Sequence, residues 1–341
     1  APARPFPEPT EEPPVQYQKH DAKAFAREHM RGIWAAALTP FTPDLLVDEA
    51  GFRRNLRHWV DELGIDGVFV AGKQGEFFSL SVAERKRLFE IAVDEIGSRA
   101  GTIMSCSDQN LDTVLDLARH AQAVGAGSIV VHAPVMHFVT DQDETLYEYY
   151  RHLSEQLDIG IAMWSHPDSG YLMSPELCAR IAELPNIVAI KYSVPREMYA
   201  RLTRLTEGKL IVSTASEEEW LDNIVELDWR LYLCSSPPYL LQSAVDRRMR
   251  EYTDLAFKGE FERAREVRDS LDPVRHALRR TRPPGKPQAQ QKYWQELLGQ
   301  AGGPVRRPML PLTEDEREAI RIAFAGCGLS VPAGASASHA A

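Results

Sequence analysis

The chain has 341 residues, of which 44% are hydrophobic and 26% charged, with a formal net charge of −10. This is the composition of a globular protein, and the acidic balance argues against nucleic acid as a partner. No stretch approaches the roughly 20 consecutive apolar residues that span a bilayer, so no membrane partner is expected. Cys106, Cys178, Cys234 and Cys327 form no CxxC and no close pair, a pattern that points to a reducing, cytoplasmic compartment rather than to a disulfide scaffold or a zinc site.

In chain order, residues 1–30 begin with Pro2, Pro5, Pro7, Pro9, Pro13 and Pro14 and are expected to form an extended arm, without an apolar signal core. Eight short apolar runs follow, at Ile33–Leu38, Gly67–Ala71, Thr102–Ser105, Ser128–His132, Gly160–Trp164, Ile187–Lys191, Leu210–Ser213 and Arg230–Cys234. Each reads as a buried strand. Helical spacing fills the gaps. Phe52, Leu56, Trp59, Val60 and Leu63 share one face, as do Leu111, Val114, Leu115 and Ala118, and then Leu146, Tyr149, Tyr150, Leu153 and Leu157. Ser81-x-x-Glu84, Ser216-x-x-Glu219 and Thr313-x-x-Glu316 fit the capping box, and Ser174-Pro175 fits an N-cap with proline at the first helical position.

Strand and helix alternating eight times predict an α/β fold, a (β/α)8 TIM barrel over 31–240. An open doubly wound sheet is the competitor, weakened because no GxGxxG follows the first strand. Further helical patterns at Tyr239–Lys258, Glu260–Leu271, Ala289–Leu298 and Glu314–Phe324 predict the last barrel helix and a small C-terminal helical region over 241–328. An Ala/Ser-rich tail, 329–341, is expected to be disordered.

The sixth run, Val188-Ala189-Ile190-Lys191-Tyr192, carries a charge at its end. The C-terminal strand ends of such a barrel face the active site. A partly desolvated lysine there can lose its proton, attack a carbonyl and form a Schiff base. The alternative is a lysine that snorkels out of the strand end or pairs with a carboxylate.

Several strings resemble the dihydrodipicolinate synthase / N-acetylneuraminate lyase family of Schiff-base aldolases. They are Ala37-Leu38-Thr39-Pro40-Phe41, Gly72-Lys73-Gln74-Gly75-Glu76, Pro134, Pro167, Ile190-Lys191 and Arg306-Arg307-Pro308-Met309-Leu310-Pro311-Leu312. The resemblance runs over about 31–328. It implies the barrel, Lys191 as the Schiff-base lysine, no separate cofactor and commonly a homotetramer. It also implies that the loop of Gly72, Lys73, Gln74 and Gly75, with Thr39, holds the carboxylate of a 2-oxo acid. The departures are equally specific. Lys73 and Gln74 replace the Thr-Thr or Ser-Thr pair usual in the family, whose hydroxyls help hold that carboxylate. Trp164-Ser165-His166-Pro167 stands where the family has Tyr-Asn-x-Pro, and Pro134-Val135-Met136 where synthases have Pro-Tyr-Tyr. The arginine that synthases place past the fifth strand is missing. An indole N–H only donates, so Trp164 cannot relay a proton as that tyrosine does.

A replacement must sit at a strand end. His132 and His137 flank the fourth exit, His166 and Asp168 the fifth, Ser105, Cys106 and Asp108 the third, and Ser235 and Ser236 the eighth. Histidine suits general acid–base work near pH 7, and His166, two residues past Trp164, is the first candidate carrier. The alternatives are His137, an ordered water, or a His166 that only caps or packs beneath its loop. Lys73 is expected either to pair with a substrate acid or, as a second cation near Lys191, to favour that lysine's free amine. The alternative is that Lys73 faces solvent. Trp34, Phe41, Phe77, Phe78, Met136, Phe138, Trp164 and Tyr192 are expected as aromatic and apolar walls. Hydratase-aldolases of the family cleave aryl-substituted unsaturated 2-oxo acids, the kind of substrate such walls suit.

The expected site is therefore Lys191, His166 and Lys73 for catalysis. Gly72, Gln74, Gly75, Thr39, Trp164, Met136, His137 and Ser235 are expected to bind substrate. No metal is expected, because HxH and HxxxH spacings are absent. The expected activity is a Schiff-base lyase acting on a small 2-oxo acid or aldehyde with an aromatic or hydrophobic substituent. A Schiff-base decarboxylase or dehydratase, and a non-catalytic ligand-binding member, are the alternatives.

Overall fold

A computed structural model describes residues 15–135, 142–167, 171–214, 216–233 and 237–332. Eight strands lie parallel: β1 Gly32–Ala36, β2 Gly67–Val70, β3 Gly101–Ser105, β4 Ser128–His132, β5 Ile161–Ser165, β6 Ile187–Tyr192, β7 Ile211–Ser213 and β8 Leu231–Leu233. They follow the eight expected apolar runs to within a residue or two at each end. Their order, β7-β6-β5-β4-β3-β2-β1-β8, places each strand beside its sequence neighbour and β8 beside β1. At the remaining seam the Leu233 N–H donates to the Ser213 hydroxyl at 2.8 Å, a side-chain bond in place of a ladder bond. The fold is thus a (β/α)8 barrel.

A helix follows each strand: α2 Glu49–Arg57, α3 Val82–Ile96, α4 Leu111–Ala123, α5 Gln142–Gln156, α6 Pro175–Ile181, α7 Arg196–Thr206, α8 Trp220–Leu227 and α9 Arg248–Phe257. Among the described residues, α10 Phe261–Asp269, α11 Asp272–Arg280, α12 Pro287–Leu297 and α13 Glu314–Gly326 complete the C-terminal region. The boxes at Ser81/Glu84 and Thr313/Glu316 form reciprocally, and Ser174 caps α6 ahead of Pro175. No described helix is long and apolar enough to cross a membrane.

Local signals misled in five places. The arm expected over 1–30 holds a helix, α1 Ala22–His29. Its prolines end at Pro14, and Ala22, Ala26 and Met30 share a buried face. Tyr17 anchors this segment at the start of β4 and β5, donating to Gly127 O at 2.8 Å and accepting from the Gly160 N–H at 2.7 Å. The Ser216/Glu219 box does not form, and α8 starts only at Trp220 with no side-chain cap. Glu217 within that stretch is drawn instead into a buried pair with Arg275. The pattern at Tyr239–Lys258 becomes helical only at Arg248. Tyr239 sits in a short 3-10 turn, where its hydroxyl donates to Ala36 O and accepts from the Leu38 N–H. Helix α11 was hidden by Pro273, which reads as a stop yet is tolerated in a first helical turn. The tail expected from 329 is packed at its start: Leu329 is buried and Ser330 bonds Ser243 and Asp246, while 333–341 lie outside the described residues.

The barrel's N-terminal end is plugged by Trp34. A Cβ on Gly67 would meet its ring at 2.2 Å and one on Gly101 at 2.4 Å, so these two glycines make room for an indole across the axis. Trp34 therefore lies at the end opposite the strand exits and is no wall of the site.

Candidate active site

Strand register builds the site. His132 pairs with Trp164, Trp164 with Lys191, and Lys191 with Ser213. Partners in parallel strands send their side chains to the same face, so four neighbouring strands present these residues to the barrel interior at its C-terminal end. The intervening residues face outward. Tyr192 donates its hydroxyl to Met173 O at 2.5 Å, and the Ser165 hydroxyl accepts from the Met173 N–H at 3.1 Å. Tyr192, expected as a wall, is therefore buried behind the barrel.

Lys191 is 1% exposed. Its Nζ lies 5.2 Å from the Phe69 ring centre and 5.1 Å from that of Trp164, and the two rings meet edge to face at 6.0 Å. The amine is thus held between two aromatic side chains in a water-poor interior. Sequence reasoning missed Phe69. Its signal was the alternation Gly67, Phe69 within β2, which places Phe69 on the same face as the Gly67 that clears Trp34. Among the described residues, two buried polar atoms have no hydrogen-bond partner here, Trp164 Nε1 and Ser105 Oγ. Ser105 is in register with Val130 and hence faces inward. Unpaired buried polar groups of this kind mark places where a ligand or water completes the bonding.

The loop Gly72-Lys73-Gln74-Gly75-Glu76 leaves β2 beside the lysine chamber. Ala71 and Glu76 flank it with φ of 51° and 58°, left-handed values that cost a non-glycine residue about 1–3 kcal/mol and persist only where the surroundings impose them. The surroundings are explicit. Thr39 Oγ1 donates to Gly75 O at 2.8 Å, and Gln288 Nε2 on α12 donates to Lys73 O at 3.1 Å. The Glu76 carboxylate receives Lys292 Nζ at 2.6 Å and the Arg306 N–H at 3.0 Å. A Cβ on Gly75 would lie 2.9 Å from Ala37 O, and one on Gly72 would lie 2.6 Å from the Phe69 ring. Gly72 and Gly75 thus let the loop lie against β1 and Phe69. Thr39 is buried, and its hydroxyl proton is committed to holding that loop. Gln74 is buried and Lys73 half-buried.

The remaining expected residues distribute as follows. His166 lies just beyond β5, half-buried, with its ring 6.4 Å from Trp164. Met136, His137 and Ser235, with Phe138, Asp168, Cys234 and Ser236, lie outside the described residues. Phe41 sits under the Lys292 and Arg306 cations at 4.0 and 4.3 Å, a structural seat. Phe77 packs at 5.6 Å from the Arg85 guanidinium, and Phe78 is largely exposed. Cys106 is fully buried, and burial pushes its thiol up to about 12, partly offset by Arg85, which leaves it a poor nucleophile.

The chain is similar to known proteins over most of its length. The sequence model of the Dihydrodipicolinate synthetase family matches residues 29–325. A 4-hydroxy-tetrahydrodipicolinate synthase from Methanothrix thermoacetophila is 29% identical over 85% of this chain and 95% of its own. A dihydrodipicolinate synthase from Thermotoga maritima superposes with a TM-score of 0.76 at 25% identity, over 89% of this chain and 100% of its own. YagE, a prophage protein of the dihydrodipicolinic acid synthase family from E. coli K12 solved in complex with pyruvate, superposes at 0.78 with 21% identity, over 88% and 99%. A barrel of matching length, its inward lysine at the end of β6 and a family match across most of the chain lead to one conclusion: this chain belongs to the dihydrodipicolinate synthetase family and is a lyase of the Schiff-base, class I aldolase superfamily.

Proposed function

We propose that the protein is an aldolase or hydratase-aldolase that binds a 2-oxo acid covalently through Lys191. The observation that carries this reading is the burial of Lys191 at the C-terminal end of β6 between Phe69 and Trp164. The amine attacks the ketone carbon, water leaves, and the iminium withdraws electrons from the neighbouring bond. The lysine is itself the covalent catalyst, so no further cofactor enters the reaction. The Gly72–Gly75 amides with Lys73 and Gln74 hold the substrate carboxylate, and Thr39 positions that loop through Gly75. Phe69 and Trp164 favour a flat, unsaturated or aryl substituent beside the reacting carbon. By family resemblance the chain is a homotetramer in the cytoplasm, a state that light scattering on the purified protein checks.

The test is borohydride reduction in the presence of pyruvate, followed by peptide mapping. A mass gain on Lys191 is expected. Unchanged Lys191 in folded protein, with pyruvate and with larger 2-oxo acids, would sink the reading. Release of an aldehyde rather than carbon dioxide from an aryl-substituted 2-oxo acid separates cleavage from decarboxylation.

A further inference from the structure

The lyase chemistry needs a group that moves a proton at the carbon next to the iminium, and the tyrosine position is occupied by Trp164. His166 was the sequence expectation. It lies past the last residue of β5, is followed by Pro167, and takes no part in the strand register. His132 does. It closes β4 and pairs with Trp164, which pairs with Lys191. The His132 ring packs on Trp164 at 5.3 Å between ring centres, closer than His166 at 6.4 Å. Lys191 Nζ lies 5.1 Å from the same indole. One buried ring therefore lies beside both the amine and the imidazole. The His132 backbone is fixed as well, by the β4–β5 ladder on one side and by its N–H donating to Ser107 Oγ at 2.9 Å on the other. A group held on a strand is positioned more tightly than one on a loop.

We propose that His132 is the proton carrier for the 2-oxo acid bound to Lys191, an assignment that rests on the Schiff-base reading above. In the iminium, the C3–H bond breaks and its electron pair becomes the C2=C3 double bond of an enamine. The C=N π pair returns to nitrogen, and the proton passes to the neutral His132 imidazole. The reverse step returns it. Imidazole holds and releases a proton near pH 7, so one residue serves both directions. Trp164 keeps the spacing between amine and imidazole and is a positioning residue for this step.

The experiment follows the methyl protons of pyruvate in D2O by mass spectrometry, beside borohydride trapping on Lys191, in wild type, H132N and H166N. Trapping shows that a variant is folded and still forms the Schiff base. General acid–base catalysis contributes about 10²–10⁴-fold. The expected result is that H132N traps pyruvate within about threefold of wild type and loses deuterium exchange by about 100-fold, while H166N keeps both. H132N that traps normally and exchanges within about tenfold of wild type would overturn the assignment. So would selective loss of exchange in H166N. Wild-type protein that neither traps nor exchanges, with pyruvate or 2-oxobutyrate, overturns the Schiff-base reading and this proposal with it. An H132N protein that fails to trap where wild type succeeds also overturns it, since His132 would then be needed for the site itself.

Discussion

Lys292 Nζ on α12 lies 2.6 Å from the Glu76 carboxylate, and both side chains are shut off from solvent, 1% and 0% exposed. The pair links the C-terminal region to the loop proposed to hold the substrate carboxylate. Removing one partner strands a buried charge, which costs about 3–5 kcal/mol, whereas replacing both with apolar groups is often neutral. K292M should therefore lower stability by about that amount, and K292M/E76L should recover most of it, read by urea denaturation. Burial is the leading cause that lowers the Lys292 amine to about 8, with Glu76 opposing it. The folded protein then binds fewer protons here than the unfolded chain between about 8 and 10.5. Stability relative to K292M should rise with pH through that window. A fall would show that the ion pair outweighs desolvation.

Glu217 is the second buried junction. Its carboxylate receives Arg275 Nε at 2.5 Å, Arg275 Nη2 at 2.8 Å and the Tyr252 hydroxyl at 2.5 Å. E217A should cost about 3–5 kcal/mol, because among the described residues Arg275 keeps only Asp272 as a charged partner. Barrel and C-terminal region should unfold in one transition by circular dichroism and tryptophan fluorescence. Two separated transitions would show that this junction does not couple them.

Trp164→Phe removes the unpartnered Nε1–H and keeps an aromatic ring. Deleting a buried donor that bonds nothing removes a desolvation cost, which offsets part of the packing lost with the smaller ring. If that N–H meets a substrate oxygen, losing the bond costs about 1 kcal/mol, roughly fivefold in pyruvate half-saturation of trapping. Thermal melting and trapping curves should thus move differently. Unchanged half-saturation would show that the indole N–H does not meet the substrate.

The described cysteines should resist alkylation at pH 7–8. Cys106, Cys178 and Cys327 are buried, and burial raises each thiol above its ordinary value. Iodoacetamide followed by peptide mapping should leave all three unmodified until denaturant is added. Fast labelling of Cys106 in the native state would mean that the end of β3 opens readily.

Strand positions, the Ser81 and Thr313 capping boxes and the charge at the end of β6 were legible in the sequence. Each depends on residues a few positions apart: alternation along a strand, an i to i+3 bond, a proline at a helix start. The matching strings pointed to the family for the same reason. Which aromatic residues surround Lys191 was not legible. Trp34 lies at the far end because Gly67 and Gly101, on two other strands, leave it room, and Phe69 takes its place beside the amine. That His132 stands in register with Trp164 and Lys191 while His166 lies past the strand likewise needed strand register, which pairs residues about 30 positions apart. The lost Ser216 box shows the same force acting in reverse, since a local cap yielded to an ion pair formed 58 residues away. Short-range hydrogen bonding and periodicity determined the elements; tertiary packing decided which side chains share the chamber, because burial and charge pairing are settled between strands and helices that the chain alone does not place together.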